Sequence, residues 1–403
     1  MHYLQSAVNT AEACNFSYRN NNSMSRFSLL LVFLFSQSLL QAQTTYFPEK
    51  DNWISKDPDE VGFKEDLLQE AVDFANNNEY SGPRDLRLAI LEGFSREPYH
   101  ELAGPTKERG GPAGIILKDG YIVTSWGDTK RVDMTFSVTK SYLSTTAGLA
   151  QDDGLIDVKD KVEDYVWDGT FQGDHNSQIT WEHLLQQTSD WSGALFGLYD
   201  WADRPSREGS FDQWRYRELK EPGTAYKYND VRVNVLAYSL LQVWRKPLPQ
   251  VLKERIMDPI GASTTWRWYG YENTWTVIDG IKMQSVSGGG HHGGGVFINS
   301  EDHARFGLLF ARKGNWKGQQ LISESWVDQV QTPAEPMPSY GYMWWLNQGP
   351  RQWDGLPEHL FYAAGFGGNY IVVDQELDLV IVTRWLEPRK IGEMVKLVYD
   401  SLK

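Results

Sequence analysis

Apolar positions between residues 59 and 76 cluster on one angular face. Phe63, Leu67, Leu68, Ala71, Val72, Phe74 and Ala75 all fall within half a turn at 100° per residue, which predicts an amphipathic helix. Residues 111 to 128 read differently. Two short apolar runs flank Asp119-Gly120, a dipeptide suited to a tight hairpin turn. From 134 to about 260 the spacing is mostly helical. Thr180 stands where a helix cap belongs, just ahead of Trp181-Glu182-His183-Leu184-Leu185. Val231 to Trp244 is a longer apolar-faced helix, ended by Pro247 and Pro249. Residues 287 to 295, SGGGHHGGG, read as a flexible joint carrying exposed histidines. Residues 301 to 314 return to an amphipathic helix. Near the C-terminus, Tyr340 to Leu346 is extended and aromatic. Asn369 to Val373 and Leu379 to Trp385 form a second hairpin about residues 374 to 378, and 392 to 403 is a closing helix.

Strands therefore lie at both ends of the chain, with a helical block between them. The simplest packing is an α/β (α+β) fold: one central antiparallel sheet built from both ends, flanked by helices, with a mainly helical subdomain inserted at about 134 to 290. Residues 24 to 42 stand apart. Arg26 precedes the apolar run Leu29 to Phe35 and a small-residue exit at Ala42, the layout of a secretory leader. This gives residues 1 to 42 as an extension plus leader that is removed, and 43 to 403 as the working domain. The implied location is the bacterial periplasm or the outside of the cell, with no stable membrane span after processing.

The chain has 403 residues with 53 acidic and 39 basic side chains, a formal charge of -14. That balance argues against nucleic-acid binding, which needs concentrated positive surface. The single cysteine, Cys14, lies in the part expected to be removed, so neither disulfides nor thiolate chemistry are foreseen. His291 and His292 are adjacent and have no third ligand at a zinc-like spacing, so no metal is expected, and no cofactor. Oligomeric state is not legible.

Ser137 and Lys140 form the one S-x-x-K of the chain. Three residues apart on a helix, they share a face. The run Ser141 to Ala150 is small and apolar, so this helix is meant to be buried with its polar pair in the first turn. Buried lysine needs a purpose or a partner. A capping serine with a surface lysine is the structural alternative. No G-x-S-x-G surrounds Ser137, so the ordinary α/β-hydrolase triad is not available. His183 belongs to the helix after Thr180 and is assigned a structural role.

Further segments follow in order: LAQDDGLIDVKDKVEDYV from 149, ITWEHLLQQTSDW from 179, EPGTAYKYND at 221 to 230, and FYAAGFGGNYIVVDQELDLVIV from 361. With Ser137-Val-Thr-Lys140 at their head they resemble the serine beta-lactamase-like superfamily from roughly 105 to the C-terminus. The likeness is to the branch holding class C beta-lactamases, DD-peptidases, family VIII carboxylesterases and 6-aminohexanoate-oligomer hydrolases. The resemblance implies a beta-lactamase/transpeptidase-like fold. It implies Ser137 as the acylated serine, Lys140 as its lysine and Tyr228 as the tyrosine of the Y-x-N element. The third position of that element is Asp230, not asparagine, and a carboxylate there favours a charged Lys140. The K-T-G element falls on Ala363-Ala364-Gly365 and lacks its cation. The N–H groups of Ser137 and Phe366 are the implied oxyanion donors.

The reading that follows is a serine hydrolase acting through an acyl-enzyme on a small-molecule ester, with an amide of the 6-aminohexanoate-oligomer or DD-peptidase kind as the second choice. A non-catalytic penicillin-binding-like module is the third. Without the K-T-G cation, either the substrate lacks a carboxylate at that position or another residue must hold it, and the acidic surface argues mildly against anionic ligands. Asp230, Ala364, Gly365, Trp191 and Trp345 are candidate substrate contacts, and Trp344 and Trp353 lie in segments expected near the cleft.

Overall fold

The computed structural model describes residues 45 to 403. The leader-like segment and Cys14 lie outside the described residues. The elements that position the site are α1 (Glu65–Asn77), β1 (Ala113–Lys118), β2 (Tyr121–Trp126), β3 (Asp133–Met134), α2 (Thr139–Asp152), α3 (Trp181–Leu185), α4 (Asp230–Trp244), β4 (Arg267–Ile278), β5 (Ile281–Val286), β6 (Gly295–Ile298), α5 (Ser300–Ala311), β7 (Trp345–Leu346), β8 (Phe361–Gly365), β9 (Asn369–Asp374), β10 (Leu379–Arg384) and α6 (Ile391–Asp400).

Six strands form the main sheet in the order β7-β8-β9-β10-β1-β2, every neighbour antiparallel. The two hairpins read from the sequence are joined where β1 pairs with β10, Ala113 opposite Arg384. Alternation along each strand supplies two cores. Ile115 and Leu117 of β1 and Val380 and Val382 of β10 face the core under α2 and α5. Ile116, Leu379 and Ile381 face the other side, against Leu68, Ala71, Val72 and Ala75 of α1 and Ile391, Met394, Val395 and Val398 of α6. The last four residues recur at i, i+3, i+4 and i+7, so α6 buries one stripe.

Three expectations are corrected. The first helix starts at Glu65, not near 59, because Pro58–Val61 is a separate 3-10 turn closed by Gly62 in the left-handed region. The block from 134 to 290 is not helical to its end. Arg267–Ile278 and Ile281–Val286 are strands, and with β6 and β3 they make a second antiparallel sheet in the order β3-β6-β4-β5. Extended structure in the aromatic segment is confined to Trp345 and Leu346, since the turn before them folds back so that Tyr340 bridges Trp345.

The cap at Thr180 is a full capping box. Its hydroxyl accepts from the His183 N–H at 3.3 Å, and His183 Nδ1 accepts from the Thr180 N–H at 3.2 Å. His183 is thus occupied in ending its own helix. Thr180→Ala is expected to lower stability by about 1 kcal/mol, read as a shift of the denaturant midpoint at unchanged slope. Among the described residues no helix is long and apolar enough to cross a membrane.

Candidate active site

Ser137 sits in a 3-10 turn, Phe136–Val138, that leads directly into α2. Phe136 holds φ at 49°, a region costly for a residue with a Cβ. Its ring is packed against Phe366 at 5.0 Å, which helps hold the turn. One turn after Ser137, as the second residue of α2, Lys140 is 1% exposed. Its Nζ donates to Ser137 Oγ at 2.9 Å and to Asp230 Oδ1 at 2.6 Å. Asp230 opens α4. The residue before it, Asn229, caps that helix by accepting from the Arg232 N–H at 3.0 Å and is itself held by Gln187. Tyr228 stands immediately before the cap, so the start of α4 fixes both Tyr228 and Asp230.

Two cations stand near the Tyr228 ring, Lys140 Nζ at 4.6 Å and the Arg204 guanidinium carbon at 5.0 Å from its centroid. On its outer side Trp345 stacks nearly parallel, 5.8 Å between centroids and 19° between planes. Arg204 Nη1 is 2.6 Å from Asp230 Oδ2 and 2.6 Å from Asp203 Oδ1. Asp203 also receives the backbone N–H groups of Asp230 and Val231 at the head of α4. A second charged layer supports this one. His291 Nε2 donates to Glu97 at 2.6 Å, which leaves Nδ1 to accept from Arg204 Nη2 at 3.0 Å.

These contacts settle the charges. Burial, the largest influence on Lys140, opposes its ammonium, but the Asp230 carboxylate and Tyr228 outweigh it and the net direction is upward. Burial likewise acts to raise Asp230, yet Lys140, Arg204 and His291 hold its carboxyl far below the usual range. Burial and then the Arg204 charge push His291 down to about 4, so it is neutral near pH 7. Glu97, Asp203 and His291 present ligand atoms within 4.8 Å of one another. The set does not suit a metal ion, because the Arg204 guanidinium pairs with two of the three groups and both imidazole nitrogens are engaged.

Ser137, Arg204, Tyr228, Trp345, Gly365 and Phe366 line a cavity of about 820 Å³, together with Ala364, Trp353 and Arg351. The end of β8 runs hard against the Ser137 turn. A Cβ on Gly365 would lie 2.2 Å from the Thr135 carbonyl and 3.3 Å from Ser137 N, so only glycine permits this approach. Ala363, where the resemblance expects a cation, faces the core and is fully buried.

Trp191 is not on this wall. It is 2% exposed, its indole donates to the Thr170 carbonyl at 2.8 Å, and its own carbonyl accepts from Arg232, so it is a core residue and not a substrate contact. Trp344 is likewise fully buried in the core.

His291 and His292 correct the sequence reading most sharply. They are 2% and 6% exposed, not hinge residues in solvent. The glycines explain it. A Cβ on Gly288 would collide with Val233 and Leu143, and one on Gly289 would lie 1.8 Å from Asp230 Oδ1 and 2.2 Å from Lys140 Nζ. The run is a flush packing surface laid over the Lys140–Asp230 pair, and it carries His291 inward. Arg204, Glu97, Gly289 and Arg351 were not singled out from the sequence. Only the bulk of glycine around His291 gave a signal, and it reads equally as a loop.

Residues 107–384 match the profile of the family described as Beta-lactamase. A 6-aminohexanoate-dimer hydrolase from Paenarthrobacter ureafaciens is 24% identical over 293 residues, covering 63% of this chain and 67% of that protein. A family VIII carboxylesterase of known structure superposes with a TM-score of 0.53 at 17% identity, covering 85% of this chain and 99% of its own. A penicillin-binding protein homologue from Caulobacter crescentus gives 0.53 at 16% identity, covering 80% and 99%. The mixed α/β architecture, with antiparallel sheets flanked by helices, is the one these structures share.

Proposed function

The chain belongs to the beta-lactamase family, and from that premise we propose that it is a serine hydrolase acylated on Ser137, acting on small or medium esters. The observation that carries this is the unbroken contact from Ser137 Oγ through Lys140 Nζ to Asp230 beside a cavity that Ser137 and Tyr228 both line.

Lys140, as an ammonium, donates to Ser137 Oγ and leaves the serine's own proton free to go elsewhere. As Oγ bonds to the substrate carbonyl carbon, that proton passes to the Tyr228 oxygen while the phenol's own proton passes on toward the leaving-group oxygen, so the tyrosine relays a proton without ever holding two. The N–H groups of Ser137 and Phe366 hold the oxyanion. The tetrahedral intermediate collapses by breaking the bond to the leaving group, which takes the proton from Tyr228 and departs as alcohol. Water then repeats the sequence: its proton goes to Tyr228, its oxygen to the acyl carbon, and the proton returns to Ser137 Oγ as the acid leaves. An alcohol leaves this intermediate more easily than an amine, which is why esters come first. The curated relative named for 6-aminohexanoate dimer makes short amides the second choice.

A fluorophosphonate probe is expected to label the wild type and not Ser137→Ala. A panel of p-nitrophenyl esters, short amides and nitrocefin then ranks the substrates. Turnover confined to amides or to nitrocefin would refute the ester assignment. Absence of both labelling and turnover would refute the hydrolase and leave a binding module.

A further inference from the structure

The two N–H groups assigned to the oxyanion come from elements far apart in the chain. Ser137 lies in the turn leading into α2, and Phe366 follows the last residue of β8. Nothing covalent sets the spacing between them, yet an oxyanion site works only when its donors are held in place. The structure supplies a brace. In the turn from β8 to β9 the Gly365 carbonyl accepts from the Gly368 N–H at 3.2 Å. A trans peptide sets its N–H opposite its carbonyl, so the Phe366 N–H is aimed out of that turn. Asn369, fully buried at the start of β9, closes the same turn, its Nδ2 donating to the Phe366 carbonyl at 2.7 Å. Its Oδ1 accepts from Arg384 Nε at 2.6 Å.

Arg384, the last residue of β10, carries the contact to the serine side and is 3% exposed. Its Nη2 donates to the Met134 carbonyl at 3.0 Å, and its Nη1 to the Ile298 carbonyl at 2.9 Å. Met134 ends β3, just ahead of the turn that holds Ser137. The three nitrogens of Arg384 are thus spent on an amide and two carbonyls, none of them a carboxylate. Burial, the largest influence on Arg384, draws its pKa down to about 10, so it is still charged near pH 7. A buried cation without an acid is costly, and apolar side chains would fill the space at lower cost. Arginine suits the place because one planar fork reaches acceptors on β9, β3 and β6, across the junction of the two sheets.

We propose that Asn369 and Arg384 are positioning residues for the reaction, which together set the spacing between the Ser137 and Phe366 N–H groups. This rests on the hydrolase reading above and deepens it. Neither side chain is among those lining the cavity, so both act through the backbone they hold and not by touching substrate.

The test compares Asn369→Asp and Arg384→Lys with the wild type on a p-nitrophenyl ester that the wild type cleaves. Asn369→Asp keeps an acceptor for Arg384 but loses the donor to Phe366. Arg384→Lys keeps the charge but not the fork. Active sites are counted by fluorophosphonate titration, and the denaturant midpoint of each variant is measured. Per titrated site, kcat/KM is expected to fall about 10- to 100-fold in both variants. Phenylboronic acid forms a tetrahedral adduct on a serine oxygen that presents an oxygen to the same donors. Its affinity is expected to fall by about the same factor. A folded variant that keeps both quantities within about threefold of the wild type overturns the proposal. So does a loss accounted for by fewer titrated sites alone, the mark of a residue that only stabilises the fold. If Arg384→Lys does not fold, Asn369→Asp decides, because the buried cation then has a carboxylate partner. Wild type that labels, with variants that match it, sinks the brace alone, whereas wild type that neither labels nor cleaves any ester sinks both readings.

Discussion

Replacing Tyr228 with phenylalanine is expected to lower kcat/KM about a thousandfold, within the range of a lost general base, with the protein still folded. The ring contacts that phenylalanine keeps are the stack on Trp345 and the flanking cations at Lys140 and Arg204. What it loses is the oxygen. The size of the effect follows from the state of Lys140. A lysine acts as a base only when neutral, and here the Asp230 carboxylate at 2.6 Å outweighs burial and keeps the ammonium. With Lys140 charged, the proposed mechanism routes the serine proton through Tyr228. Two cations, Lys140 and Arg204, stand near its ring. One of them, Arg204, comes from a loop with no counterpart in the sequence motifs, and it pairs with the carboxylate of Asp230. Asp230 therefore holds a second positive charge, Arg204, close to the Tyr228 ring. Steady-state kinetics on an ester cleaved by the wild type checks the prediction. A Tyr228→Phe enzyme within tenfold of the wild type would return the base role to Lys140.

Much of this architecture was legible because it is periodic. The unbroken apolar runs Ile115 to Leu117 and Leu379 to Val382 mark strands buried on both faces. The spacing of Ile391, Met394, Val395 and Val398 marks a helix lying on a sheet. Ser137 and Lys140 were legible because a helix turn makes them neighbours, and Asp230 because it adjoins the Tyr228 motif. The β4–β5 hairpin was missed, as its solvent-exposed residues include Trp275, Val277 and Ile281, which blur the alternation that identifies a strand. The outer charged layer was missed for a different reason. Glu97, Asp203, Arg204 and His291 are brought together from three separate loops, and nothing local distinguishes them from surface polar residues before the chain folds.

Gly289→Ala carries the second large expectation. The added methyl carbon would sit 1.8 Å from Asp230 Oδ1 and 2.2 Å from Lys140 Nζ, far inside contact distance. The neighbours have little room to yield. Asp230 is the first residue of α4, Lys140 is the second residue of α2, and the side chains of both are 2% exposed. The backbone at 289 must then lift, and two costs follow. Displacing a tight core costs about 1–3 kcal/mol, and separating a buried ion pair costs about 3–5 kcal/mol when one charge is left uncompensated. Arg204 still faces Asp230, so a net loss of about 2–5 kcal/mol is expected. Lys140 would also shift from Ser137, so fluorophosphonate labelling should slow in whatever protein remains folded. Denaturant unfolding with labelling rates on the folded fraction reads both effects. A Gly289→Ala protein with wild-type stability and wild-type labelling would mean that the glycine run is a loose linker after all, and that the Lys140–Asp230 pair does not depend on the surface laid over it.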